Sequence, residues 1–213
     1  MKKKRILCFG DSNTWGQIPG LVGRFSEEER WPGVLQKLLG EEYTVIEEGY
    51  NGRTTVWDDP VEGRLAGITY FLPCLESQAP LDVVIIALGV NDLKTRFGAS
   101  AGTIAASLER YFDVLKYAPL HGSDPKVLIM SPALVDPSYR DFPLFRQIFG
   151  KDADVRSREL AEQYREVAQQ HGADFLDAAQ YAEADPADGI HIDKASHARL
   201  AAAVAVRIEG YGL

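Results

Sequence analysis

Five short apolar runs, Arg5 to Phe9, Tyr43 to Glu47, Leu81 to Leu88, Lys126 to Ser131 and Ala173 to Leu176, recur along the chain between longer amphipathic stretches. In the third run, Val83-Val84-Ile85-Ile86 is apolar on successive residues, as a parallel strand buried on both faces requires. The stretches between runs repeat their apolar positions at helical spacing and predict helices over Trp31 to Leu39, Ile68 to Gln78, Ala101 to Ala118, Asp154 to Gln170 and Lys194 to Glu209. His171-Gly172 closes the fourth with a cation-capable side chain and a C-terminal glycine. Strands alternating with helices imply right-handed crossovers and an α/β fold, a three-layer α/β/α sandwich around a five-stranded parallel sheet.

That architecture gives the strand ends a meaning, because ligands of such sheets sit beyond the carboxyl ends of the strands. Ser12, Gly52 and Asn91 fall just after the first, second and third runs, and Asp188 and His191 lie after the fifth, before the last helix. A serine is a poor nucleophile until a base takes its proton, and the base needs an orienting carboxylate. Asp188-Gly189-Ile190-His191 spaces a carboxylate and an imidazole so that one turn lets Asp188 accept the Nδ1 proton while Nε2 faces Ser12. Tyr50-Asn51-Gly52-Arg53 and Gly89-Val90-Asn91-Asp92 are placed to offer a developing oxyanion a backbone N–H and a side-chain amide.

Each piece alone has a plainer reading. Asp11 or Ser12 fits a helix N-cap, Asn51-Gly52 a tight turn, Asn91-Asp92 a cap after the third strand, and Asp188-Gly189 a turn pair. Their joint placement at four strand ends favours catalysis.

Taken together, Gly10-Asp11-Ser12, Gly52, Gly89-Val90-Asn91-Asp92 and Asp188-Gly189-Ile190-His191 resemble the four blocks of the SGNH (GDSL-type) hydrolases, in order and in spread. Phe9 to Gly16, Glu47-Glu48-Gly49, Arg53-Thr54-Thr55 and Asp58-Asp59-Pro60 resemble the bacterial arylesterase/acyltransferase (perhydrolase) branch, and the similarity covers nearly the whole chain as one domain, 1–213. The resemblance implies a flavodoxin-like strand order and a serine esterase with Ser12, Asp188 and His191 as catalytic residues. Ser12, Gly52 and Asn91 would form the oxyanion hole. Asn13 stands where the name-giving motif has leucine, and is expected to alter only local pocket shape. The branch carries another small residue at Gly52, and a backbone donor works with either.

Length and composition fit this picture. The chain's 213 residues are enough to cover both faces of a sheet, and 46% hydrophobic with 25% charged residues is ordinary for a globular protein. A net charge of -8 argues against a nucleic-acid or anionic-membrane surface. After Lys2-Lys3-Lys4-Arg5 the apolar run is too short for a secretory leader, and a cytoplasmic location is expected. Cys8 and Cys74 are expected as buried thiols. No third ligand accompanies His191-Ile192-Asp193, and neither a metal nor a cofactor is expected.

Gly98-Ala99-Ser100-Ala101-Gly102 matches the G-x-S-x-G elbow of another hydrolase fold, but polar Asp92 to Arg96 precedes it where a buried strand is required. His121, His171 and His197 are expected to be structural. The Asp136 to Phe149 segment is too apolar for a solvated loop. Its Phe142, Phe145 and Phe149, with Trp15 and Ile192, are candidates to line a substrate pocket. The resembled branch uses this segment in subunit contacts, which implies a homo-oligomer acting on a small-molecule ester. Two other readings stand beside this one: a flavodoxin-like module binding phosphate or flavin at Ser12 to Gly16, and an SGNH carbohydrate acetylesterase.

Overall fold

The computed structural model describes residues 2–213. In chain order the elements are β1 (Lys4–Gly10), α1 (Ser12–Trp15), α2 (Trp31–Leu39), β2 (Tyr43–Gly49), α3 (Gly67–Gln78) and β3 (Val83–Ala87). Then come α4 (Ala101–Ala106), α5 (Glu109–Tyr117), β4 (Lys126–Ser131), α6 (Pro143–Phe149), α7 (Ala153–Gln170), β5 (Asp174–Asp177) and α8 (Lys194–Gly210). The strands form one parallel sheet in the order β2-β1-β3-β4-β5, the flavodoxin-like arrangement.

Strand residues alternate between two cores. Leu7, Phe9, Val84, Ile86 and Ile129 pack on one side with Phe71 of α3, Tyr111 of α5 and Leu160 and Tyr164 of α7. Ile6, Cys8, Val83, Ile85 and Leu128 pack on the other with Trp31 and Leu35 of α2 and Leu200, Val204 and Ile208 of α8. A sheet sealed on both faces explains why its strands read as unbroken apolar runs. In the register, Gly10 at the end of β1 lies level with Gly49 and Ala87, so the loops leaving β1, β2 and β3 start from one edge. The cysteines are free and buried in opposite cores, and burial pushes the Cys8 thiol well above its ordinary value.

One expectation is corrected. The helix read over Ala101 to Ala118 is two helices, because the Ser107 hydroxyl bonds back to the Ile104 carbonyl and reaches Thr55, disturbing the ladder between α4 and α5. The segment after β4 holds a helix, α6, started by Pro143 and stopped at Gly150. Among the described residues no helix is long and apolar enough to cross a membrane.

His197 of α8 is fully buried, accepts the Trp31 N–H at 3.2 Å through Nδ1 and leaves Nε2 without a partner. Burial pulls its pKa down to about 4, against the pull of Asp193. Since the folded value lies below the ordinary 6.5, its contribution to stability is complete above that pH and is lost as pH falls through about 4. Replacing His197 by Asn should therefore flatten the acid limb of a stability-pH curve by about 3 kcal/mol, measured by urea unfolding between those values.

Candidate active site

Ser12 opens α1 immediately beyond β1. Asp11 caps this helix by accepting the Asn13 N–H at 2.9 Å, so the plainer capping reading and the nucleophile reading hold for adjacent residues. As the first residue of a helix, Ser12 keeps its own N–H free of an intrahelical acceptor. Its Oγ lies 3.0 Å from His191 Nε2, and His191 Nδ1 lies 2.7 Å from Asp188 Oδ2.

The loop before α8 presents this pair because Asp188 is bound on every side. Its Oδ1 accepts the N–H groups of Ile190 and His191, both at 2.9 Å, and Oδ2 also accepts the Gly20 N–H at 2.8 Å. Burial works to raise the Asp188 pKa, but the hydrogen bonds and charge of His191 with the Gly20 N–H outweigh it and hold the carboxylate below its ordinary value. Gly189 makes the turn at φ 72°, where a Cβ would meet the Tyr139 nitrogen at 2.5 Å and the Asp136 oxygen at 2.6 Å. Only glycine lets the loop press against the segment that follows β4.

Gly52 turns at φ 78° after β2, in a loop closed by Arg53 N–H to the Tyr50 carbonyl. Asn91 begins a short 3₁₀ turn after β3, and its Nδ2 donates to the Arg53 carbonyl at 3.1 Å. One of the two amide hydrogens is thereby fixed, and the other remains for a ligand. Ser12, Gly52, Asn91, Asp188 and His191 all line one cleft of about 510 Å³, within the range of small-molecule sites. Phe142, Phe145 and Phe149 form an apolar wall of the same cleft, with the Phe145 ring centred 6.4 Å from the His191 ring. Glu62 and Lys94 are on its polar side, where Lys94 is buried and paired with Asp59 at 3.2 Å and Glu62 at 2.8 Å.

Two residues expected at the pocket stand elsewhere. Trp15 packs outward, its carbonyl taking the Arg24 Nε and its ring lying 5.2 Å under that guanidinium, because Gly16 ends α1 and turns the chain back on itself. Ile192 is buried in the α2/α8 core and lines a separate cavity of about 30 Å³ behind Asp11 and Asn13, with room for about two waters. Ser100 caps α4 through the Thr103 N–H and is not in the cleft. His171 stacks on Phe112 with ring centroids 3.9 Å apart. Among the described residues no three His, Cys, Asp or Glu side chains gather to hold a metal ion.

Asn13 does more than shape the pocket. Its Oδ1 accepts the Ile192 N–H at 2.9 Å and its Nδ2 donates to the Ile190 carbonyl at 3.4 Å, bracing both neighbours of His191. Asn13→Ala should lower kcat about tenfold, since a small displacement of the base misaligns proton transfer, and lower the unfolding temperature by only a few degrees, since the buried Ile192 N–H loses its acceptor; steady-state kinetics beside a thermal melt checks this.

Residues 8–199 match the GDSL-like lipase/acylhydrolase family. The chain belongs to that family. Among solved structures, this family member is similar to the native aryl esterase of M. smegmatis, at 38% identity over 97% of this chain and 99% of that one, with a TM-score of 0.92. It is also similar to Est24, a carbohydrate acetylesterase from Sinorhizobium meliloti, at 36% identity over 98% and 100% of the two chains and a TM-score of 0.92. A carbohydrate acetylesterase family member from the same organism is 32% identical over 99% and 100%, with a TM-score of 0.93. No curated protein matches the sequence. As a GDSL-like acylhydrolase of the SGNH superfamily with esterase relatives, the protein is a hydrolase.

Proposed function

We propose that the protein is a serine esterase acting on aryl or short-chain carboxylic esters through an acyl-serine intermediate. The observation that carries this reading is the unbroken series from Ser12 Oγ through the His191 ring to Asp188 Oδ2, at 3.0 and 2.7 Å. Asp188 holds the Nδ1 proton, which leaves the Nε2 lone pair facing the serine hydroxyl. His191 removes the Ser12 proton as Oγ bonds to the ester carbonyl carbon, and the carbonyl electron pair moves onto oxygen. The N–H groups of Ser12 and Gly52 and the free amide hydrogen of Asn91 meet that oxyanion. Its collapse breaks the carbon–oxygen bond of the ester, and His191 gives its proton to the departing alcohol. Water, deprotonated by the same imidazole, then attacks the acyl carbon and releases the acid, while His191 returns the proton to Ser12.

An alcohol or hydrogen peroxide in place of water would leave with the acyl group as an ester or peracid. The Phe142, Phe145 and Phe149 wall, by limiting water at the acyl-serine, supports such transfer. The same wall supports the choice of substrate. The leaving oxygen must come within reach of His191, beside Phe145, where an aryl ring packs better than a sugar. The M. smegmatis relative is an aryl esterase and those from S. meliloti are carbohydrate acetylesterases, so it is the wall and not the likeness that supports aryl esters. A phosphate or flavin module would leave the Ser12–His191–Asp188 series without a role.

Asn91→Ala should lower kcat on p-nitrophenyl acetate about a hundred- to a thousandfold with little change in KM, because this donor bonds most strongly to charge that exists only in the transition state. Equal losses in both parameters would count against an oxyanion role.

A further inference from the structure

Asp92 follows Asn91, is fully buried, and carries a charge that packing alone does not require. Its Oδ1 accepts both the Thr55 N–H at 2.8 Å and the Thr55 hydroxyl at 2.6 Å, while its Oδ2 has no partner. Burial pushes the carboxyl up to about 6, against the hydrogen bonds from Thr55. Thr55 is itself fixed: Tyr111 donates its hydroxyl to the Thr55 carbonyl at 2.8 Å, Ser107 Oγ lies 2.6 Å from Thr55 Oγ1, and the Ile68 N–H bonds the same carbonyl. Thr55 lies a few residues beyond Gly52 on the loop after β2, and Asp92 lies on the loop after β3. Other side-chain bonds tie these loops: that from Asn91 Nδ2 to the Arg53 carbonyl, which belongs to an oxyanion donor itself, and the ion pairs of Lys94 and Arg96 with Asp59 and Glu62, which lie farther along both loops.

We propose that Asp92 is a positioning residue which, through Thr55, locks the loop carrying Gly52 against the loop carrying Asn91 and so sets the spacing of the two oxyanion donors that come from outside α1. This rests on the acyl-serine reading above. Neither donor is held by its own loop alone: Gly52 sits in a turn at positive φ, and Asn91 in a 3₁₀ turn of three residues. Two donors on separate loops must keep their spacing while charge develops between them, and a carboxylate taking two bonds from one residue is a stiff brace.

The test is a double-mutant cycle with Asn91, read on p-nitrophenyl acetate together with a thermal melt. Asp92→Ala should lower kcat about ten- to a hundredfold while KM changes less than about threefold. In an Asn91→Ala background the same substitution should cost at least about threefold less, because one of the donors it positions is already gone. Losses that multiply in full, or an unchanged kcat in the single variant, would overturn the positioning role while leaving the esterase reading intact. A wild-type chain that turns over no ester would overturn both. Should Asp92→Ala fail to fold, Thr55→Val removes one of the two bonds and enters the same cycle with the same expected pattern.

Discussion

Asp188→Asn is expected to lower turnover by about ten-thousandfold while the chain stays folded. In the wild-type site the carboxylate accepts on both oxygens, from Ile190 and His191 N–H groups on Oδ1 and from His191 Nδ1 and Gly20 on Oδ2. An asparagine keeps its oxygen on the Oδ1 side, where two backbone N–H groups require an acceptor. Its NH₂ then faces Nδ1 and can only donate, so the imidazole proton must move to Nε2. That proton points at the Ser12 oxygen, 3.0 Å away, and the base loses the lone pair it needs. The Gly20 N–H would also face a donor, so the loop from Gln17 to Arg24, which places Leu21 and Val22 on the cleft rim, should loosen. Stopped assays on p-nitrophenyl acetate with a circular-dichroism melt separate the two effects. A loss below about tenfold with an intact fold would mean that Asp188 does not set the tautomer.

The layers were legible because they follow from patterns that report burial, whereas the strand order was implied by the resemblance to the SGNH hydrolases. Val83 to Ile86 must be apolar throughout if helices cover both faces, and the placement of α2 and α8 opposite α3, α5 and α7 follows from strand residues that alternate between the two cores. The residues of the candidate site were legible for a second reason: a parallel sheet brings its carboxyl ends to one edge, so chemistry-bearing residues after strands one, two, three and five had to converge.

What stayed hidden depends on contacts between segments far apart in the chain, which periodicity does not record. Gly20 donates to Asp188 across a separation of 168 residues, and nothing in Pro19-Gly20-Leu21 marks it as part of a catalytic arrangement. Asn13 looked like a departure from a motif, yet its short polar side chain reaches Ile190 and Ile192 where a leucine has no donor or acceptor to offer. Trp15 and Ile192 stand close in sequence to Ser12 and His191, but that closeness does not bring them to the cleft. The ring of Trp15 lies under Arg24, and the strand-like bridge of Ile192 to Ala184 turns its side chain into the core. The break at Ser107 was hidden for a similar reason, since its hydroxyl meets Thr55 from a loop some fifty residues earlier.

The largest effect of all is expected at Ser12. Without its oxygen no acyl-enzyme forms, and only binding and the oxyanion donors remain, a residue of activity roughly a millionfold below the intact site in the best-studied serine hydrolases. Ser12→Ala removes an Oγ whose one side-chain partner here is His191, in a residue at the start of a four-residue helix, so the fold should be indifferent to the change. Ser100→Ala is the matched control, since it removes the serine of a motif that also announces a nucleophile but serves as the cap of α4. The decisive measurement is therefore the release of p-nitrophenol from p-nitrophenyl acetate by the wild-type chain, Ser12→Ala and Ser100→Ala side by side. Activity in the wild-type and Ser100→Ala proteins, with none above background in Ser12→Ala, is the result expected of an acyl-serine enzyme; persistence in Ser12→Ala, or loss only in Ser100→Ala, would contradict it.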